Sequence, residues 1–129
     1  MRYNILFYDN RLIDLLSVNI NLFDLINNMK GSLVTSSKKL KSVILINRSD
    51  KKILITALLD KTEISSFQSD ESVTIQLLEG KLRLHTREES VILNKDHFIT
   101  ITEKVKYQLT SLEETVFLLT ITSQPKCIN

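Results

Sequence analysis

Apolar residues recur at two different spacings along the chain. In the first quarter the spacing is that of a helix, with apolar residues at i, i+3, i+4 and i+7: Leu22, Leu25, Ile26 and Met29. Asn19 or Asn21 precedes this run as a candidate cap, and Gly31 follows it as a candidate stop. The pattern therefore predicts a helix over residues 21–30, preceded by a weaker turn or two of helix over residues 12–17.

From Leu33 onward the period changes to two, and short β-branched and apolar runs alternate with polar turns. This pattern predicts eight strands: residues 42–47, 52–59, 73–78, 81–86, 90–93, 98–102, 105–110 and 115–122. Many short strands with almost no helix among them are typical of a jelly roll or a small barrel. The polar segments 48–50, 69–71, 87–89 and 94–96 are predicted to close hairpins.

Glycine is scarce, with two in 129 residues, so each glycine is expected where the backbone requires it. Gly80 lies in the stretch "TIQLLEGKLRLH", which spans residues 74–85. We predict that Glu79 and Gly80 form the two-residue loop of a tight hairpin, with a positive φ at Gly80. Such a hairpin would pair residues 77–78 with Leu82 and Leu84.

Composition and charge limit the number of domains and the kinds of partner that the chain can have. Forty-three per cent of the residues are apolar, which is enough for one domain with its own core. Seventeen basic residues against 15 acidic ones give a net charge of +2. This balance predicts no nucleic-acid partner and no membrane partner. The start of the chain lacks the order of a secretory signal, and no apolar run reaches the ~20 residues that span a bilayer, so we expect a cytoplasmic protein. The single cysteine, Cys127, excludes an intramolecular disulfide.

Two longer segments resemble the small single-domain cupins of bacteria: "VTIQLLEGKLRLHTREESVIL" and "DHFITITEKVKYQLTSLEETVFLLTIT". The shared features are a leucine-rich run ending in Leu-Glu-Gly, a polar hairpin and a closing Phe-Leu-Leu-Thr strand, and "LFDLINNMK" is similar to the short helix before the barrel. The resemblance covers about residues 22–122. It implies an all-β, cupin-type double-stranded β-helix of the RmlC-like jelly-roll family with a short N-terminal helical segment. It implies no particular function, because cupins host many activities.

Metal-dependent cupins carry the motifs G-x5-H-x-H-x(3,4)-E-x6-G and G-x5-P-x-G-x2-H-x3-N. With Gly80 as the last glycine of the first motif, its ligand positions carry residues that are not usual metal ligands: Phe67, Ser69 and Val73, or Ser66 and Gln68 for the histidines at the longer spacing. With the second motif started at Asp96, all five of its positions differ: Asp96, Thr102, Lys104, Tyr107 and Ser111. We therefore expect no metal and no cofactor.

The remaining polar residues suggest no catalytic group with a clear partner. His85 and His97 would need to face one cavity together with Asp96 or Glu88 to bind a metal, and we favour solvent-exposed turn positions for both. Most acidic residues fall at turns or strand ends. Asp60 and Glu63 form the only acidic pair at a plausible barrel mouth, and no nucleophile elbow or phosphate-binding glycine loop is present.

The inward positions of the predicted barrel define a candidate pocket or filled core, lined by seven residues: Phe67, Val73, Ile75, Leu77, Val105, Tyr107 and Leu109. Three functions stay open. The favoured one is a metal-free module that binds a small molecule or has a structural or accessory role, with Tyr107 as the polar contact. The second is a metal-independent isomerase or epimerase that uses Tyr107 as acid or base. The third is a sensor or accessory subunit that grips a partner with its N-terminal helix.

Assembly and domain limits complete the predictions. Residues 43–46, 53–55 and 116–119 are apolar on both strand faces, which a half-solvated sheet does not require. The helix can shield part of this surface and a twofold partner the rest, so we predict a homodimer, as the resemblance also implies. We place a helical extension at residues 1–32, the barrel at 33–124 and a disordered tail at 125–129.

Overall fold

The computed structural model describes residues 20–65, 72–101 and 106–123. Within these residues the chain folds into one helix and nine strands. They are α1 (Leu22–Ser36), β1 (Leu40–Asn47), β2 (Lys51–Leu58), β3 (Glu63–Ser65), β4 (Ser72–Glu79), β5 (Lys81–Thr86), β6 (Ser90–Asn94), β7 (Phe98–Ile101), β8 (Tyr107–Ser111) and β9 (Thr115–Thr122). The predicted helix over residues 12–17 and the tail with Cys127 lie outside the described residues.

The helix begins as predicted and ends later than predicted. The side chain of Asn21 accepts a hydrogen bond from the backbone N–H of Asp24 at 3.1 Å, which is an N-cap. The stop at Gly31 was wrong, because α1 continues to Ser36 and ends at Ser37 with φ 62°. Leu33 explains the extension: it lies four residues after Met29 and is 1% exposed. Its burial offsets the ~1 kcal/mol that a glycine costs inside a helix.

The strands form two antiparallel sheets, and the predicted all-β jelly roll is confirmed. One sheet has the order β1-β2-β9-β4-β7 and the other the order β3-β8-β5-β6. All eight predicted strands are present, and none of their ends differs from the predicted one by more than two residues. The three-residue strand β3 was not predicted, since it is too short to show an alternating pattern.

Two apolar cores lie on opposite faces of the five-stranded sheet. The inner core fills the space between the two sheets and consists of Leu58, Ile75, Leu77, Leu82, Leu84, Leu93, Leu109 and Phe117. The helix core joins α1 to the outer face of the larger sheet and consists of Leu25, Ile26, Met29, Leu33, Leu45, Ile55, Ala57 and Val116. Burial on both faces explains why the strands of this sheet are apolar at successive positions.

An ion pair adds to the docking of α1. The Nζ of Lys30 lies 2.8 Å from Oε1 of Glu79 and 3.9 Å from Oε1 of Glu114. The hydrogen bond to Glu79 raises the pKa of Lys30. Since these side chains are about a third exposed, the pair contributes little beside the apolar contacts of the helix core.

Two of the predicted hairpins are confirmed and two are wrong. Segment 48–50 joins β1 to β2, and segment 87–89 joins β5 to β6. The loop at Gly80 and segment 94–96 instead carry the chain from one sheet to the other, since β4 and β7 belong to the larger sheet and β5 and β6 to the smaller one. A polar turn is compatible with a hairpin and with a crossing between sheets. Which of the two forms depends on strand pairings between residues distant in the sequence. Segment 69–71 lies outside the described residues.

Gly80 nonetheless has the predicted positive φ, at 94°. It allows β4 to pass into β5 beside Thr115, a fully buried residue whose hydroxyl accepts a hydrogen bond from the N–H of Lys81 at 3.2 Å. The predicted pairing of residues 77–78 with Leu82 and Leu84 was wrong, because β4 and β5 belong to different sheets; Leu77 and Leu82 instead belong to the same inner core.

No helix in the described ranges is long and apolar enough to cross a bilayer. The predicted domain limit between residues 32 and 33 falls inside the helix α1. The barrel strands begin at Leu40 and end at Thr122.

Candidate functional site

Tyr107 lies at one end of the smaller sheet. It is the first residue of β8, pairs with Thr86 at the end of β5 and packs against the inner core. Burial raises the pKa of the Tyr107 phenol, because the phenolate is disfavoured away from water. The phenol therefore keeps its proton at neutral pH and is suited to donate a hydrogen bond.

An open groove of about 470 Å³ lies beside Tyr107. The described residues that line it are Ser65, His85, Thr86, Arg87, Lys106, Tyr107 and Gln108. Strand register brings these residues together: Gln108 of β8 pairs with Ser65 of β3 on one side and with His85 of β5 on the other. The groove is thus built at the ends of three neighbouring strands of the smaller sheet. Strand alternation places Ser65, His85 and Gln108 on the outer face of this sheet, opposite Leu84 and Leu109 of the inner core. We call it the mouth groove.

The turn after β5 holds the backbone of Arg87 in place. The N–H of Thr86 donates to the carbonyl oxygen of Glu89 at 2.8 Å. The Thr86 hydroxyl oxygen also accepts hydrogen bonds from the backbone N–H groups of Glu88 and Glu89, at 3.3 and 3.2 Å. This closed turn fixes Arg87 at the rim of the groove, where its side chain stays exposed.

Of the seven residues predicted to line a pocket, Tyr107 lines the mouth groove. Three others lie in the packed inner core: Ile75, Leu77 and Leu109, exposed by 0%, 0% and 4%. Val73 is half-buried against that core, and Phe67 and Val105 lie outside the described residues. A role of these six residues in ligand binding stays a prediction.

The two histidines lie apart. His85 lines the mouth groove, whereas His97 follows the opposite end of the smaller sheet, where its Nδ1 accepts a hydrogen bond from the N–H of Asn94 at 3.1 Å. The register separates these ends, since Lys81 pairs with Asn94 and His85 with Ser90. The acidic pair Asp60 and Glu63 is exposed and does not line the groove.

The residues present do not fit the metal centre that the family resemblance would imply. Val73 and Tyr107, which occupy aligned ligand positions, both pack against the inner core, but a valine side chain has no lone pair to donate. In residues 20–65, 72–101 and 106–123, no three His, Cys, Asp or Glu side chains are grouped as metal ligands would be. The absence of a bound metal stays a prediction, and elemental analysis of the purified protein would test it.

The comparisons with known proteins identify the fold. No family model matches the sequence, and no curated protein matches it. Among solved structures, a cupin-superfamily protein of Desulfitobacterium hafniense matches with a TM-score of 0.64 and 9% identity over 67% of this chain and 80% of that one. A cupin-2 domain protein of Shewanella frigidimarina matches at 0.60 and 17% identity over 83% and 94%. The chain has the cupin fold.

A third match is a conserved Streptococcus pyogenes protein of unknown function, with a TM-score of 0.63 and 19% identity over 68% of this chain and 77% of that one. Identities this low show the cupin fold and nothing about activity. The chain is therefore a divergent small cupin by fold, and its function must be argued from its own residues.

Sequence analysis did not identify most of the groove. Ser65, Arg87, Lys106 and Gln108 belong to strand ends and turns with no motif in common. His85 was assigned to an exposed turn; it is exposed, but the turn was wrong, because His85 lies within β5 and pairs with Gln108 of β8. The strand order of the smaller sheet brings these residues together, and only the cupin resemblance carried a signal of that order.

Proposed function

We propose that this chain is a binding module with the cupin fold, whose ligand is a small polar molecule held in the mouth groove beside Tyr107. The observation that carries the proposal is the contrast between the packed inner core and this open groove, whose lining residues present hydroxyl, amide and basic groups on a largely apolar surface. Its volume lies within the range of ~300–1,000 Å³ typical of small-molecule sites. Hydroxyl, amide, guanidinium, ammonium and imidazole groups supply donors for a polar ligand.

Binding is favoured over the alternative of a metal-independent isomerase or epimerase. Such an enzyme needs a base that removes a proton near neutral pH. Burial raises the pKa of Tyr107, which disfavours this residue as a base at neutral pH and leaves it suited to donate a hydrogen bond. An accessory or structural role of the chain remains compatible with binding at the groove.

A ligand-observed NMR screen with sugars, sugar acids, amino acids and nucleotides tests the proposal. Ser65 is an exposed small residue of the groove wall, so Ser65→Trp should fill the groove and abolish binding. Thr100→Trp is the matched control, because Thr100 is exposed on the edge strand β7 and does not line the groove. A screen without binders, or a binder that Ser65→Trp leaves unaffected, would contradict the proposal.

We further propose that two copies associate through the edge strand β1. Ile44 pairs with Leu54, and Leu54 pairs with Leu119, which packs against the inner core. Because paired residues share a face of the sheet, Ile44 lies on the face opposite α1. It is nevertheless 50% exposed, and Leu40 of the same strand is 39% exposed. An apolar edge strand can pair with its own copy about a twofold axis and thereby bury such side chains.

Light scattering at micromolar concentration should give the mass of a dimer for the unmodified protein and a monomer for Ile44→Lys. Ile92→Lys is the control, because Ile92 is 47% exposed on β6 of the other sheet. A monomer for the unmodified protein, or a dimer that only Ile92→Lys disrupts, would refute association through β1.

A further inference from the structure

Two cationic side chains, those of Arg87 and Lys106, and the imidazole of His85 line the mouth groove. His85 and Arg87 come from the end of β5 and the turn after it, and Lys106 immediately precedes β8. Among the described residues that line the groove, none is acidic. The chain as a whole is almost balanced, with 17 basic and 15 acidic residues, so composition alone does not account for this local excess.

The other lining residues are compatible with a negative ligand. Ser65, Thr86 and Gln108 are neutral and offer hydroxyl or amide donors. Burial keeps Tyr107 neutral as well, so it adds no negative charge. Glu88 and Glu89 belong to the turn that carries Arg87, but both are exposed and lie outside the lining.

We infer that the ligand of the mouth groove carries an anionic group, either a carboxylate or a phosphate. The inference rests on the proposed function, since it names the chemical class of the ligand for the same groove. The guanidinium of Arg87 can bind either group through two parallel hydrogen bonds. Lys106 and His85 lie within the same groove, where Lys106 can add positive charge and His85 a ring N–H donor.

A second basic cleft offers a comparison within the same molecule. It has a volume of about 290 Å³ and lies between the end of α1 and β1, lined by Ser32, Ser36, Lys38, Leu40, Lys41 and Ser42. The C-terminal end of a helix carries partial negative charge, which disfavours an anion. The Nζ of Lys41 already donates to the hydroxyl of Ser32 at 3.0 Å. The inference therefore concerns the mouth groove and not this cleft.

Calorimetric titration with three related probes tests the inference: glucose is neutral, gluconate carries a carboxylate and glucose 6-phosphate carries a phosphate. We expect one or both anions to bind at least about tenfold more tightly than glucose, in line with the usual strength of a charged hydrogen bond. The preferred anion distinguishes carboxylate from phosphate. Arg87→Gln and Lys106→Gln should each weaken its binding by about tenfold. Lys38→Gln, which removes one charge from the other cleft, should leave the affinity unchanged.

Each other outcome overturns the inference. Equal binding of glucose and the two anions, abolished by Ser65→Trp, would show that the groove binds small molecules without selecting an anion, and the proposed function would stand. Anion binding that Lys38→Gln weakens and Arg87→Gln does not would place the anion in the wrong cleft. If none of the three probes binds, the anionic class is wrong, while the wider screen with Ser65→Trp judges the proposed function independently.

Discussion

The two ends of the barrel differ, although the same strands form both. At the closed end, where Gly80 carries the chain between the sheets, Leu77, Leu82 and Thr115 are fully buried. At the other end, which we call the open end after the mouth groove, the described residues Val73 and Tyr107 are half-buried against the inner core, and the groove lies beside Tyr107. Strand β4 contains both the half-buried Val73, near the open end, and the fully buried Leu77, near the closed end. The closed end is packed by fully buried residues, whereas the open end carries the groove in which we propose that a ligand binds.

The largest effect is expected from Gly80→Ala at the closed end. An added Cβ would lie 2.5 Å from Oγ1 of Thr115 and closer still to the carbonyl oxygen of Glu114, at a backbone φ that alanine rarely adopts. We expect the free energy of unfolding to fall by about 3 kcal/mol or more, measured by denaturant titration.

Gly31→Ala is the control for this substitution. A Cβ at Gly31 in α1 would meet nothing within 4 Å, so helix propensity should stabilise the protein by about 0.5–1 kcal/mol. If both variants changed stability equally, the closed end would not depend on Gly80.

A smaller effect is expected from trimming apolar side chains at the two ends of β4. Leu77 is 0% exposed, so Leu77→Ala should cost about 2–5 kcal/mol through lost burial and a cavity. Val73 is half-buried, and Val73→Ala should cost about 1 kcal/mol. Thermal and denaturant unfolding of both variants measure the difference. Equal costs would mean that the two ends are packed alike.

The smallest effect concerns the pH dependence of stability at the open end. Burial raises the pKa of Tyr107 above its ordinary value of 10.0, so the folded state holds the phenolic proton more tightly than the unfolded state. This contribution is complete below pH 10 and is lost as the pH rises from there through the folded pKa. Tyr107→Phe should therefore reduce the alkaline loss of stability, measured by urea unfolding across that range. An identical alkaline loss in both proteins would show that Tyr107 is not desolvated.

Local patterns were sufficient to predict most elements. The period-two alternation of β5, with Leu82 and Leu84 buried between exposed residues, placed that strand correctly at residues 81–86. The helical spacing of Leu25, Ile26 and Met29 located α1, and all three side chains lie in the helix core. These features depend on neighbours within a few residues, which the sequence displays directly.

Features that depend on distant pairings were not predictable in this way. The stretch around Gly80 looks like a hairpin turn, yet β5 pairs with β6 and β8, and β4 with β7 and β9. The helix continues beyond Gly31 because Leu33 is buried in the helix core, which includes residues of strands distant in the sequence. The mouth groove shows the same limit, since Ser65 and His85 become neighbours of Gln108 only through the strand order of the smaller sheet.

The central claim is that the open end of the barrel binds a small polar molecule and the closed end does not. Amide chemical-shift mapping with the tightest binder from the screen tests it most directly. The account predicts shifts at Thr86, Tyr107 and Gln108, with none at Gly80 or Leu82. Shifts confined to the closed end or to α1 would contradict it.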